Sequence, residues 1–173
     1  DTVVINGSSG SATINVDAQE SAASVVAKIN AQAGTTGVTA TARTEIDLTP
    51  ATANASYSIS VAMNGGSAVN VAFSIGTPIN SDTLSAAVSA FNDKTSSTGV
   101  MAKVNAAGTG ITLLNESGQD IQITNGTGSG GGITVGAATA AAGESVHVTG
   151  AITLDSDRSF GVESPLGANG GGT

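Results

Sequence analysis

Apolar and polar residues alternate with a period of two along most of the chain, the pattern of strands with one buried face. Val38, Ala40 and Ala42 alternate with Thr, and Ile46 and Leu48 flank Asp47. Tyr57, Ile59, Val61 and Met63 are followed by Val69, Val71, Phe73 and Ile75. The pattern resumes at Val100, Ala102 and Val104, at Ile111 and Leu113, at Ile121 and Ile123, and at Ile133 and Val135; Val146 and Val148, then Ile152 and Leu154, complete it. Asn6-Gly7, Asn64-Gly65 and Asn125-Gly126 punctuate these runs. Both residue types reach positive φ at little cost, which suits tight hairpins, so antiparallel sheet is expected.

Two segments follow a helical rhythm instead. Ala22, Val25, Val26 and Ile29 recur at i, i+3, i+4 and i+7, after Asp17 and Glu20 in a spacing like that of a capping box and before Gly34 as the expected stop. Leu84, Ala87, Val88 and Phe91 repeat the spacing after Ser81 and Asp82. Each predicts an amphipathic helix of about three turns, too short to persist alone in water, so each must lie on a sheet.

The helices belong to an internal repeat. A shift of about 62 positions lays Val26 on Val88, Ile29 on Phe91, Asn30 on Asn92, Thr36-Gly37-Val38 on Thr98-Gly99-Val100 and Ala40 on Ala102. With a short insertion, Ile46 and Leu48 fall on Ile111 and Leu113; upstream, Ile14-Asn15-Val16 corresponds to Val69-Asn70-Val71. Each unit reads hairpin, helix, strand, strand, and the strand near Tyr57 to Met63 is a candidate to serve both. The expected fold is α+β, with tandem modules of antiparallel sheet each carrying one short amphipathic helix, then a β-rich tail. The expected segments are 1–56, 57–125 and a return segment with a Gly-rich end, 126–173.

Composition narrows the chemistry. About 95 of the 173 residues are Ala, Gly, Ser or Thr, so small side chains do most of the packing. Five Lys plus Arg against thirteen Asp plus Glu give a formal net charge of −8, and aromatic residues make up 2%. A phosphate-binding or base-stacking surface is therefore not expected, and nucleic acid is a poor partner. No apolar run approaches the roughly 18 residues that span a bilayer, so no membrane partner is expected. The start, Asp1-Thr2-Val3-Val4, lacks an initiator Met and a signal-peptide pattern and reads as a piece of a longer protein. The absence of Cys excludes thiol catalysis, disulfides and thiolate metal sites.

No catalytic, cofactor-binding or metal-ligating residue is assigned, no cofactor is expected, and the chain is not read as an enzyme. His147 is the sole imidazole and sits in the alternating run Val146-His147-Val148, an outward strand position. Asp155-Ser156-Asp157-Arg158 starts like a calcium loop, but Phe160 stands where Gly is needed and Leu166 where Glu is needed, so an exposed turn is expected. The Gly-rich stretch from Gly126 to Gly132 leads into a strand with no following Lys, and is read as a turn and not a phosphate cradle. Asn-x-Ser/Thr triplets begin at Asn6, Asn54, Asn115 and Asn125, a number that chance explains in a chain this rich in Ser and Thr.

An amphipathic helix ending in Ile29-Asn30 or Phe91-Asn92, then a spacer, Thr-Gly-Val, alternating small residues and an Ile-x-Leu strand, resembles the IN motif of bacterial flagellins and hook-associated proteins. The resemblance spans roughly residues 12 to 125, in two copies, the second with Phe91 in place of Ile. The tail Gly150-Ala151-Ile152-Thr153-Leu154-Asp155-Ser156 with Phe160-Gly161-Val162 is similar to the stretch that leads from a flagellin's variable outer region back to its helical core. The resemblance implies a structural, extracellular outer domain of a flagellar filament subunit. Its implied partners are neighbouring flagellin subunits, with O-linked glycans permitted on outer-domain hydroxyls. The polymerising and export-recognised terminal helices of such proteins have no counterpart in this sequence, so the isolated chain is expected to be monomeric. Two alternatives are an equivalent module of a hook-associated or filament-capping protein, and a secreted adhesive or carbohydrate-binding module.

Overall fold

The computed structural model describes residues 1–164. The Gly-rich end expected in the 126–173 segment, and Leu166 of the weighed calcium loop, lie outside them. The chain opens with a hairpin of β1 (Thr2–Asn6) and β2 (Ser11–Asn15), followed by helix α1 (Ala22–Ala31), the single turn α2 (Ala33–Thr36) and the long strand β3 (Thr39–Pro50). A second hairpin, β4 (Ala55–Met63) and β5 (Val69–Ile75), leads to α3 (Ser81–Asn92), the turn α4 (Thr95–Thr98), β6 (Met101–Val104) and β7 (Ile111–Asn115). Then come β8 (Ile121–Asn125), β9 (Ile133–Val135), β10 (Ala138–Ala140), β11 (Ser145–Val148), β12 (Ala151–Asp155) and β13 (Gly161–Glu163). The protein is a β-rich α+β fold, 43% strand and 18% helix.

Among the described residues all pairings are antiparallel, in three sheets ordered β13-β1-β2, β10-β9-β3-β7-β6 with β12 also on β3, and β11-β8-β4-β5. Two apolar cores result. The smaller joins Ile5 and Ile14 of the first hairpin to Val25 and Ile29 of α1 and to Val38 and Ala40. The larger includes Leu48, Tyr57, Ile59, Phe73, Leu84, Phe91, Ile111, Leu113 and Ile123. Tyr57 stacks on Phe73 at 5.6 Å between ring centroids, and Phe73 meets Phe91 at 5.9 Å, so three of the chain's few aromatic rings are spent on one core.

Both helices stop in the same way. After a short turn the chain enters a glycine in the left-handed region, Gly37 at φ 72° and Gly99 at φ 64°, where a Cβ would be strained. The stop expected at Gly34 is therefore three residues early; Gly34 lies inside α2. The starts also differ from expectation. Ser21 caps α1, accepting from the Ser24 amide, while Asp17 and Glu20 form the preceding turn. Asn80, one residue before the expected Ser81, caps α3 in a reciprocal capping box with Thr83.

Of the three Asn-Gly dipeptides, Asn64-Gly65 makes the tight turn, with φ of 46° and 72° and the Gly66 amide donating to the Met63 carbonyl at 2.8 Å. Asn6-Gly7 opens a longer loop closed from Gly7 to Gly10. Asn125-Gly126 is not a hairpin turn. Asn125 is fully buried, its carboxamide donating to the Gly131 and Ala140 carbonyls, and the chain crosses there to another sheet.

The strand shared by both cores is β3, not the expected Tyr57 to Met63 strand, which pairs only with β5 and β8. The first half of β3 pairs with β12 (Ala40 opposite Leu154), and its second half pairs with β7 and β9 (Leu48 opposite Ile111 and Val135). Ile46 and Leu48 are thus hydrogen-bonded partners of Leu113 and Ile111, not their equivalents. The strand that lies beside β3 as β7 lies beside β6 is β12: Ala40 faces Leu154 as Ala102 faces Leu113. Likewise β13 flanks β1 as β8 flanks β4. The expected segments 1–56, 57–125 and 126–173 do not coincide with the two cores, because β12 and β13 return to strands more than a hundred residues earlier. An outer unit of 1–43 and 151–163 has an inner unit of 44–150 emerging from it and returning to it.

Candidate functional site

The construction common to both units is an asparagine clamp. At the end of α1, Asn30 Nδ2 donates to the Ala40 carbonyl at 2.9 Å and Asn30 Oδ1 accepts from the Ala40 amide at 2.7 Å. At the end of α3, Asn92 does the same to Ala102 at 3.0 and 2.7 Å. A carboxamide offers donor and acceptor in the spacing of a backbone peptide, so one side chain satisfies both edge groups of the strand and fixes the helix to it. Inside each turn, Thr36 and Thr98 donate from Oγ1 to the Gln32 and Lys94 carbonyls and accept the Val38 and Val100 amides, each at 3.2 Å. The carbonyls of the left-handed glycines are also answered in both units: Gly37 by Ser156 Oγ at 2.8 Å, Gly99 by Asn115 Nδ2 at 2.9 Å. Ile29 and Phe91 lie at matching, buried positions under these clamps, 3% and 1% exposed.

The two units meet at the turn between β7 and β8. The Ala23 amide, in the first turn of α1, donates to the Gly118 carbonyl at 3.0 Å, and within the inner unit Thr44 Oγ1 holds the same turn by donating to the Gln119 carbonyl at 2.8 Å. Gly118 is left-handed (φ 72°), and a Cβ there would lie 2.2 Å from that of Ala42. A Cβ on Gly150 would meet Ala22, Thr44 and the Gly118 carbonyl, all within 2.9 Å. Only residues this small permit such an approach.

Beside the junction lies a cleft of about 630 Å³. One wall belongs to the outer unit, at Gln19, Ser21 and Ser24; the other is inner, at Asn64, Gln122 and His147, with Asp120 and Thr149 between. Asn64 Oδ1 accepts the Asp120 amide at 2.9 Å, and the Asn64 amide donates to the Asp120 carbonyl at 3.0 Å. Asp120 Oδ1 has no hydrogen-bond partner among the described residues. Glu20 is held at the edge of the cleft by Lys28 Nζ at 2.8 Å and by the Asp17 amide at 3.0 Å. Those two bonds hold the Glu20 carboxyl below its usual range, and the Glu20 carboxylate raises the Lys28 ammonium above its own.

The residues weighed from sequence take ordinary positions. His147 is exposed on β11, its Nε2 3.3 Å from Gln122 Nε2. Asp155 ends β12, and Ser156 and Arg158 form the following turn, with Ser156 Oγ committed to Gly37. The Gly126 to Gly132 stretch is laced to β4, Gly126 and Gly130 amides donating to the Ser58 and Ser56 carbonyls. No group of three or more His, Asp or Glu placed to hold a metal ion occurs among the described residues. No described helix is long and apolar enough to cross a membrane. The junction itself was missed by sequence reading; its only signal is the isolated Gly118 and Gly150 beside Ala22 and Ala42.

The class that this architecture defines is a modular structural domain, built on a helix clamped to a strand. Residues 2–61, from β1 to Val61 in β4, match the family model of the flagellin hook IN motif. The match covers 60 of the 173 residues, and the flagellin family that carries this motif forms the extracellular filament of the flagellum. No curated protein matches the chain.

Proposed function

We propose that the chain is the surface-exposed outer domain of a flagellin, the filament subunit used for motility, and that it carries two IN units, the inner one held within the outer. The observation that carries this reading is the IN match over the first clamp, Asn30 on Ala40, together with its atom-for-atom counterpart at Asn92 and Ala102. The neighbouring positions of β1 and β13 add support. Val4 pairs with Glu163, so the first and last strands run antiparallel side by side, as a domain entered and left through one neck requires. Contacts with neighbouring flagellin subunits and O-linked glycans on exposed hydroxyls are part of the same reading.

Gold-labelled antibody against this domain, applied to intact cells that express the full-length gene, tests it. Label along the whole filament is expected. Label confined to the hook junction or the filament tip would instead identify a hook-associated or capping protein. Label on the cell surface with bare flagella would identify an adhesive module.

A further inference from the structure

We propose that the cleft between the two units binds a neutral oligosaccharide of about two or three sugar rings, a volume in the range of small-ligand pockets. The cleft holds about 630 Å³, and its walls come from different units. The lining mixes donors and acceptors: the carboxamides of Gln19, Asn64 and Gln122, the Thr149 hydroxyl, the His147 ring and the Asp120 carboxylate. Few of these are spent. Among the described residues, Asn64 uses its oxygen on Asp120 with its NH2 unspent, and Gln122 meets only His147 with its oxygen unspent.

That mixture selects the ligand class. An anion would face Glu20 and Asp120, and the nearest cation, Lys28, is engaged by Glu20. A metal ion would find no group of three or more His, Asp or Glu among the described residues to hold it. A sugar hydroxyl donates and accepts at once and can answer both kinds of group. The walls are joined beside the cleft by the Ala23 amide donating to the Gly118 carbonyl, with Gly118 and Gly150 close enough to Ala42 and Ala22 to leave no room for a Cβ. With no Phe, Tyr or Trp in the lining, affinity rests on hydrogen bonds exchanged with water, which sets it in the millimolar range.

The test is a two-dimensional amide NMR titration of the chain with lactose, maltose, cellobiose and diacetylchitobiose in turn. At least one disaccharide is expected to give saturable shifts on both walls, at Ser24 and at Gly65, Gln122 and His147. Gln122→Ala and Thr149→Ala, each removing an outward-facing side chain, are expected to weaken binding about threefold or more, the worth of one hydrogen bond. No saturable shift with any of the four, shifts confined to another surface, or binding unchanged in both variants would overturn the proposal. Each of those results leaves the flagellar reading intact, since that reading is decided by antibody labelling and not by sugar binding.

Discussion

The outer and inner units share one hydrogen-bond frame and differ in what fills it. Helix end, asparagine clamp, threonine turn and left-handed glycine superimpose residue for residue, with near-identical distances. The packing does not. The inner helix sets Phe91 against Phe73, which stacks on Tyr57, beneath sheets that keep Ile111 and Leu113 at 1% and 0% exposure. The outer helix sets Ile29 against a small cluster, and Ile152 on β12, beside β3 as Ile111 is beside β6, is 38% exposed. The frame is therefore polar and local, and it tolerates cores of unequal size. A motif defined by a carboxamide and a glycine can keep its shape while the apolar residues around it change.

The largest predicted effect contrasts the two buried anchors. Phe91→Ala should cost about 4 kcal/mol and Ile29→Ala about 3 kcal/mol, measured by urea unfolding, because the larger side chain leaves the larger void. Equal costs would mean that the two cores are packed alike. Next, Asn30→Ala and Asn92→Ala should each cost about 2 kcal/mol, for two backbone partners left without their bonds. A cost at one position alone would break the equivalence of the clamps. The caps should separate by less: Asn80→Ala at about 1.5 kcal/mol and Ser21→Ala at about 0.5 kcal/mol, since Asn80 accepts the Thr83 amide at 3.0 Å within a reciprocal box and Ser21 accepts the Ser24 amide at 3.4 Å without one.

The smallest effect is a pH dependence confined to the outer unit. The Glu20 carboxyl is held below its ordinary value, so its contribution is present above the unfolded carboxyl range and is lost as pH falls through the lowered folded value. Lys28 is raised, so its contribution is present below the ordinary lysine range and is lost as pH rises through the raised value. Amide protection factors in α1 and β2, taken after dividing out the intrinsic pH dependence of exchange, should fall slightly on acidification while those in α3 and β5 stay unchanged. A uniform response of both units would contradict the assignment.

Much of this frame was legible in the order of residues, because its parts lie close together in the chain. The alignment of Asn30 with Asn92 and of Gly37 with Gly99 needs only a fixed offset, and the helical spacing of Val25 and Ile29 needs only a local period. What escaped was non-local. Alternation shows that Ile46-Asp47-Leu48 and Ile111-Thr112-Leu113 are strands, but two runs of the same period look alike whether they are equivalents or partners. Here they are partners. The pairing of Ile152-Thr153-Leu154 with Ala40 through Ala42 spans more than a hundred residues, and no nearby signal announces it. The cleft was hidden for the same reason: Gln19 and His147 share no local pattern, and only the junction brings their segments to one opening.

The pairing of Arg43 with Ala151, where β3 passes from the outer core into the inner one and where the chain comes back into β12, makes the inner unit a replaceable cassette. Any insert whose own ends stand that close, and whose surface offers a glycine to Ala42, can be exchanged there without stretching the host sheet. Sequence drift in the cassette then leaves the attachment of the outer unit undisturbed.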